Sequence, residues 1–332
     1  MQNNRTGNAL SVEEFLRRRK WSLEERKVLI VGVGGLGCEL LKCFVSFGFK
    51  QIHIIDMDTI EITNLNRQFF FRHADVGKSK AIVAAEYVKS HCQYENLQIT
   101  PHFSSIEEKD ATFYKQFDVV VSGLDSIEAR RWLNDMLHSL LVRDKESGAL
   151  ETESIIPLID GGTEGLKGSV RVIIPGITAC FECTIGLFPQ QTKLPLCTLT
   201  NNPRKFSHCI EYAAISTWPE THPDKSVDNE SLIHLEWIRK ESEKRATEFG
   251  IQIPPENNNT KYVQLILKNI IPAVSSTNAL IASICCNEVV KMSVEYGRTL
   301  NNYFLYNGSE GIYSNSFECE KLANCSVCSL TR

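Results

Sequence analysis

Residues 28–37, VLIVGVGGLG, run from a short apolar strand straight into glycines, and ELLKCFVSFG (39–48) follows with helical periodicity and a glycine stop. Gly32, Gly34 and Gly37 make a G-x-G-x-x-G between strand and helix, with Gly35 inside it. Such glycines let backbone approach phosphates, and the helix N-terminus adds partial positive charge. The next strand, IHIIDMD (52–58), ends in Asp56 and Asp58. Asp56 stands 19 residues beyond Gly37, where an acid bonds a ribose hydroxyl. Further strands read at DVVVSGLD (118–125), PLIDGG (157–162), SVRVII (169–174) and NYFLYN (302–307), with helices at 80–91 and 274–292. Strands alternating with helices imply an α/β fold on a doubly wound, mostly parallel sheet.

The 332 residues suffice for more than one domain, and 42% apolar with 23% charged residues is the balance of a soluble globular protein. A net charge of −4 argues against a general nucleic-acid binder. No apolar run approaches a membrane span, and the polar start MQNNRTGNAL is no signal peptide, so a soluble, intracellular protein is expected. From about Ile177 to Val263 the strand–helix alternation stops and prolines, polar runs and a helix-like stretch from Glu230 to Phe249 take over. The expected organisation is an α/β domain over 1–196 and 263–332, interrupted by a mostly helical insertion at 197–262.

A nicotinamide dinucleotide is one ligand for the glycine motif, which keeps an oxidoreductase as an alternative. That alternative leaves DTIEITNLNRQFFFRHADVGKSKA (58–81) unexplained. This segment sets Asn64, Arg67, Gln68, Lys78 and Lys80 just after the ribose acid. A triphosphate needs such a set, because reaction at its α-phosphate builds negative charge that Arg and Lys stabilise. Asp125, at a strand end, is placed to hold Mg²⁺.

The twelve cysteines sort by spacing. Cys180-Phe-Glu-Cys183 and Cys325-Ser-Val-Cys328 are two C-x-x-C pairs whose four thiolates would close a tetrahedral, structural zinc site. A redox C-x-x-C is the competitor, but it needs no second pair. Cys38, Cys43, Cys92, Cys285 and Cys286 sit in apolar or helical context and read as core packing. Cys197, Cys209 and Cys319 are left over; of these Cys197 and Cys209 are the candidate nucleophiles, and their chemistry alone does not separate them.

The motifs GxGGLGCELLK, IDMDTIxxxNLNRQFFFR, GKSKA and GLDS resemble the adenylation domain of ubiquitin-like-protein activating enzymes. The resemblance implies a Rossmann-like adenylation domain that binds ribose through Asp56, triphosphate through Asn64, Arg67, Gln68 and Lys80, and Mg²⁺ through Asp125. It implies the same four-cysteine zinc arrangement. It also separates the two thiols: LPLCTL (194–199) followed by HCIEY (208–212) is similar to the thioester segment of the heterodimeric enzymes, which makes Cys197 the acceptor and Cys209 packing. PLIDGGTEGLKGSVRVIIPGITACFEC, RRWLNDMLHSLL, IIPAVSSTNA and LNNYFLYN resemble the catalytic subunits of neddylation-type activating enzymes, with the SUMO-type subunit as the alternative.

This resemblance implies ATP-dependent adenylation of a modifier's C-terminus, thioester formation on Cys197 and transfer to a conjugating enzyme. Arg67, Lys80 and Asp125 would stabilise charge in the first step, and Arg171 would check the modifier's tail. Implied partners are a pseudo-symmetric regulatory subunit, a neddylation-type modifier and its conjugating enzyme, in cytoplasm and nucleus. A pseudo-subunit that binds a modifier without activating it is disfavoured by the retained Arg67, Lys80, Asp125 and Cys197. Family members continue past the second cysteine pair into a ubiquitin-fold domain. That domain is expected to be absent here, because the chain stops at Arg332.

Overall fold

The computed structural model describes residues 10–19, 22–92, 94–187, 203–223, 225–268, 274–293 and 301–329. The chain divides into two compact units, Met1–Phe188 with Ala273–Arg332, and Pro189–Pro272. The insertion therefore reaches beyond the expected end at residue 262. The reason is packing: Val263, on the helix Thr260–Leu267, is fully buried in the core of the second unit.

The first unit is built on one eight-stranded sheet in the order β3-β2-β1-β4-β5-β6-β7-β8. The strands are β1 (Lys27–Val31), β2 (Gln51–Ile55), β3 (Gln98–His102), β4 (Val119–Ser122), β5 (Leu158–Glu164), β6 (Lys167–Ile173), β7 (Tyr303–Asn307) and β8 (Tyr313–Phe317). From β3 to β5 the pairs are parallel; from β5 to β8 they are antiparallel. The sheet is thus mixed, in place of the mostly parallel one expected. Only Gly165 and Leu166 separate β5 from β6, and a two-residue connection permits only an antiparallel hairpin. Gly165 takes the positive φ of 58° that such a turn requires.

Both faces of the sheet are covered, which is why its strands read as unbroken apolar runs. Val28, Ile30, Ile52, Ile54, Val119 and Val121 point to one side. There they meet α2 (Gly35–Ser46), α3 (Lys80–His91) and the helix Ser275–Ser293. Leu29, Val31, Ile55, Val120, Leu158 and Ile173 point to the other, towards α4 (Ala111–Tyr114), α5 (Ile127–Ser139) and the paired cysteines. The short α1 (Val12–Arg18) begins at Ser11, whose hydroxyl accepts the Glu14 N–H, and it buries Phe15 against Ile155 and Ile174.

Among its described residues the second unit is helical. Its helices Phe206–Tyr212, Leu232–Glu248 and Thr260–Leu267 bury Phe206, Cys209, Ile210, Leu235, Ile238 and Val263 together. No helix among the described residues is long and apolar enough to cross a membrane.

Candidate functional site

The glycine turn joins β1 to α2 at the point where the sheet's connections reverse, since β1 lies between β2 and β4. In doubly wound sheets this edge opens a crevice for ligands. Gly32 has φ of +85°, and a β-carbon there would meet the Gly123 carbonyl oxygen at 3.1 Å. A β-carbon on Gly37 would fall 1.9 Å from the Gly32 carbonyl oxygen, so helix and strand approach closely only without side chains. Gly34 is the N-cap of α2 and supplies no side-chain cap, which leaves the first turn's N–H groups to a ligand.

Asp56 closes the turn from the end of β2. Its Oδ2 accepts the Val33 N–H at 2.6 Å and its Oδ1 accepts the Asp58 N–H at 2.8 Å. Burial raises its pKa above the ordinary carboxylate range, while these two N–H donors pull it back. Asp58 is exposed and accepts from Lys80 Nζ at 2.8 Å, with the Lys80 side chain itself largely buried. Ser79 caps α3, accepting the Ile82 N–H, so Lys80 is held on the helix's first turn.

Arg67 and Gln68 follow a short 3-10 turn, Ile62–Asn64. The buried Asn64 spends Oδ1 on the Glu61 N–H in a capping box, so it shapes this turn. Arg67 Cγ lies 3.6 Å from where a β-carbon of Gly35 would sit, and Gln68 Nε2 lies 4.0 Å from that of Gly34. Both side chains therefore reach the N-terminus of α2. Asp125 is exposed in the loop after β4, whose Gly123 N–H donates to the Val31 carbonyl beside the glycine turn. Ser126, not Asp125, caps α5, so the Asp125 carboxylate is not consumed by the helix.

Arg130, on α5, is a residue that sequence reasoning misses. Its Nε donates to the Leu124 carbonyl at 3.1 Å and its Nη1 to buried Asp160 at 3.2 Å, which braces the Asp125 loop. A lone arginine on a helix gives no sequence signal of such a contact.

Arg171, expected to check a modifier's tail, is only 1% exposed within this chain. Register explains this, because Asp160 of β5 and Tyr303 of β7 lie directly opposite it on either side. Its guanidinium donates to Asp160 at 3.1 Å, Tyr303 at 2.7 Å and Thr184 at 3.1 Å. Burial lowers its pKa, and Asp160 opposes that shift.

Cys180, Cys183, Cys325 and Cys328 come together, with all four sulfurs within 4.8 Å of one another. The Sγ pairs 180–183, 180–325 and 183–328 are 3.8, 3.5 and 3.4 Å apart. A tetrahedron of Zn–S bonds of about 2.3 Å has edges of about 3.8 Å, so the donor set fits zinc. Cys38, Cys209, Cys285 and Cys286 are fully buried, and burial pushes the Cys209 thiol up. Cys197 lies outside the described residues.

A family model described as the ThiF family matches residues 7–327. The Nedd8-activating enzyme E1 catalytic subunit of Drosophila melanogaster is 49% identical over 306 residues, 92% of this chain and 66% of that protein. The chain thus spans just under two thirds of that relative's length. The Saccharomyces cerevisiae NEDD8-activating enzyme E1 catalytic subunit is 44% identical over 91% of this chain and 97% of its own. SUMO-activating enzyme subunit 2 of Dictyostelium discoideum, at 44%, matches only 56% of this chain and 26% of its own. Among solved structures, E. coli MccB with ATP matches 95% of this chain and 69% of its own. Its TM-score is 0.54 and its identity 19%, which speaks to the fold.

Proposed function

The chain belongs to the ThiF family, and from that premise we propose that it is the catalytic subunit of a neddylation-type modifier-activating enzyme. The observation that carries this reading is the convergence of Asp56, Arg67 and Gln68 on an uncapped helix N-terminus, with the Asp125 loop alongside. Those groups suit a nucleoside triphosphate better than a neutral ligand. The extent of similarity to the NEDD8-type relatives, against the shorter SUMO-type match, favours the neddylation type.

In the proposed reaction the modifier's terminal carboxylate attacks the α-phosphorus of ATP, and pyrophosphate leaves. Arg67 and Lys80 offset the negative charge that gathers on the phosphates, acting mainly by position and electrostatics. Asp125 would hold Mg²⁺, which supplies further neutralisation of the phosphates. The Cys197 thiolate then attacks the acyl-adenylate carbonyl, AMP leaves, and a thioester forms. The buried Cys209 is a poor rival for this role. A regulatory subunit completes the enzyme, and the modifier passes to a cysteine of the conjugating enzyme. Zinc would sit among the four paired cysteines, where a closed set leaves no catalytic position.

The test combines chain, partner subunit, ATP and candidate modifiers, and reads ATP–pyrophosphate exchange and a thiol-sensitive adduct. Cys197→Ala should keep the exchange and lose the adduct, whereas Asp125→Ala should lower exchange by about a hundredfold and so lose both. An adduct that survives Cys197→Ala and disappears with Cys209→Ala sinks the nucleophile assignment. Dinucleotide binding without exchange would instead restore the oxidoreductase.

A further inference from the structure

Beside the glycine turn one buried amide nitrogen has no partner among the described residues. Asn278, in the first turn of the helix Ser275–Ser293, is 1% exposed. Its Oδ1 accepts the Thr163 hydroxyl at 2.7 Å, which orients the amide and leaves Nδ2 as the free end. Among the described residues Nδ2 has no hydrogen-bond partner. It lies against the first turn of α2, 2.5 Å from where a β-carbon of Gly35 would stand, and Arg67 approaches the same point. An orphaned buried donor costs stability, so its retention calls for a ligand that satisfies it. The first-turn N–H groups of α2 have no side-chain cap, Arg67 sets its Cγ against the same glycine, and Gln68, whose buried Oε1 also lacks a partner among the described residues, stands at Gly34.

We propose that Asn278 Nδ2 donates a hydrogen bond to an anionic oxygen of the ligand seated at Gly34–Gly35, with Thr163 as its positioning residue. The oxygen belongs either to a nucleotide phosphate or to the modifier's terminal carboxylate. This rests on the adenylation reading above and adds a binding residue to it. The helix Ser275–Ser293 follows the insertion in sequence, so the ligand is gripped by segments on both sides of it.

The experiment uses the chain with its partner subunit and compares wild type, Asn278→Ala, Thr163→Val and Arg67→Ala. Three quantities are read: ATP affinity without modifier, the KM for modifier in ATP–pyrophosphate exchange, and the melting temperature without ligand. A phosphate contact predicts at least tenfold weaker ATP binding for Asn278→Ala. A carboxylate contact predicts a modifier KM at least tenfold higher with ATP affinity unchanged. In both cases Thr163→Val shows a smaller loss of the same kind, and the ligand-free melting temperature does not fall. Should truncation itself lower the melting temperature, Asn278→Asp keeps the outline and the acceptor for Thr163 and is read the same way. ATP affinity and modifier KM both within twofold of wild type would overturn the inference while Arg67→Ala still weakens binding. Absence of saturable ATP binding by wild type would overturn the adenylation reading itself.

Discussion

Arg171 shows what a single strand's pattern leaves undetermined. SVRVII displays the alternation of a strand, and the alternation says only that Arg171 faces away from Val170 and Val172. Which surface that is depends on β5 and β7, whose register sets Asp160 and Tyr303 beside it. The outcome is a buried carboxylate shared by two arginines, Asp160 Oδ2 accepting from both Arg130 and Arg171. Breaking one arm of a buried pair leaves charge without compensation, a loss of about 3–5 kcal/mol. Arg171→Gln is therefore expected to lower unfolding free energy by roughly 3 kcal/mol in denaturant titration. A change below about 0.5 kcal/mol, the scale of an ordinary surface substitution, would show that the network carries no weight. Asp56, by contrast, is legible, because strand end and spacing from Gly37 together place an acid against the turn.

At the scale of elements, the glycine turn is legible because its chemistry is local. Strand, turn and helix are contiguous, and the periods change from two to 3.6 within a few residues. The hairpin from β5 to β6 and the strand β8, YSNSF, are not, since a short polar strand has no apolar signature of its own. The turn's glycines are not equivalent. Gly37→Ala would drive a β-carbon to 1.9 Å from the Gly32 carbonyl oxygen, a backbone atom that cannot swing aside. Gly34→Ala meets nothing nearer than Gln68 Nε2 at 4.0 Å, and its φ of −77° suits any residue. Gly37→Ala should cost about 3 kcal/mol or more and weaken ATP binding through the displaced helix. Gly34→Ala should melt within a few degrees of wild type, because only ligand approach is obstructed. Thermal melts with and without ATP separate the two, and equal destabilisation by both would contradict the steric argument.

For the whole molecule, the insertion is visible in sequence as a loss of strand–helix alternation, yet its end is not. Val263 and its neighbours are equally apolar whichever core takes them, and only the fold assigns them to the second unit. The paired cysteines address a problem this architecture creates. The chain leaves the first unit soon after Cys183 and returns at Ala273, so β7, β8 and the segment beyond must be brought back across roughly 140 residues from Cys183 to Cys325. Restraining a loop of that length in the unfolded chain is worth about 5 kcal/mol on chain-entropy grounds. A structural zinc adds binding free energy on the order of 10 kcal/mol at neutral pH. One zinc per chain is therefore expected by metal analysis. Cys325→Ser, or a strong chelator, should lower the melting temperature of the first unit broadly and loosen β7 and β8 first. The site shares its core with α5, since Phe181 donates its N–H to Asn134 and Arg131 pairs with Glu182. Zinc loss should accordingly raise hydrogen exchange in α5 and in the Asp125 loop that precedes it. Well-folded protein without zinc, and with α5 as protected as before, would show that the four thiols hold the segment by packing alone.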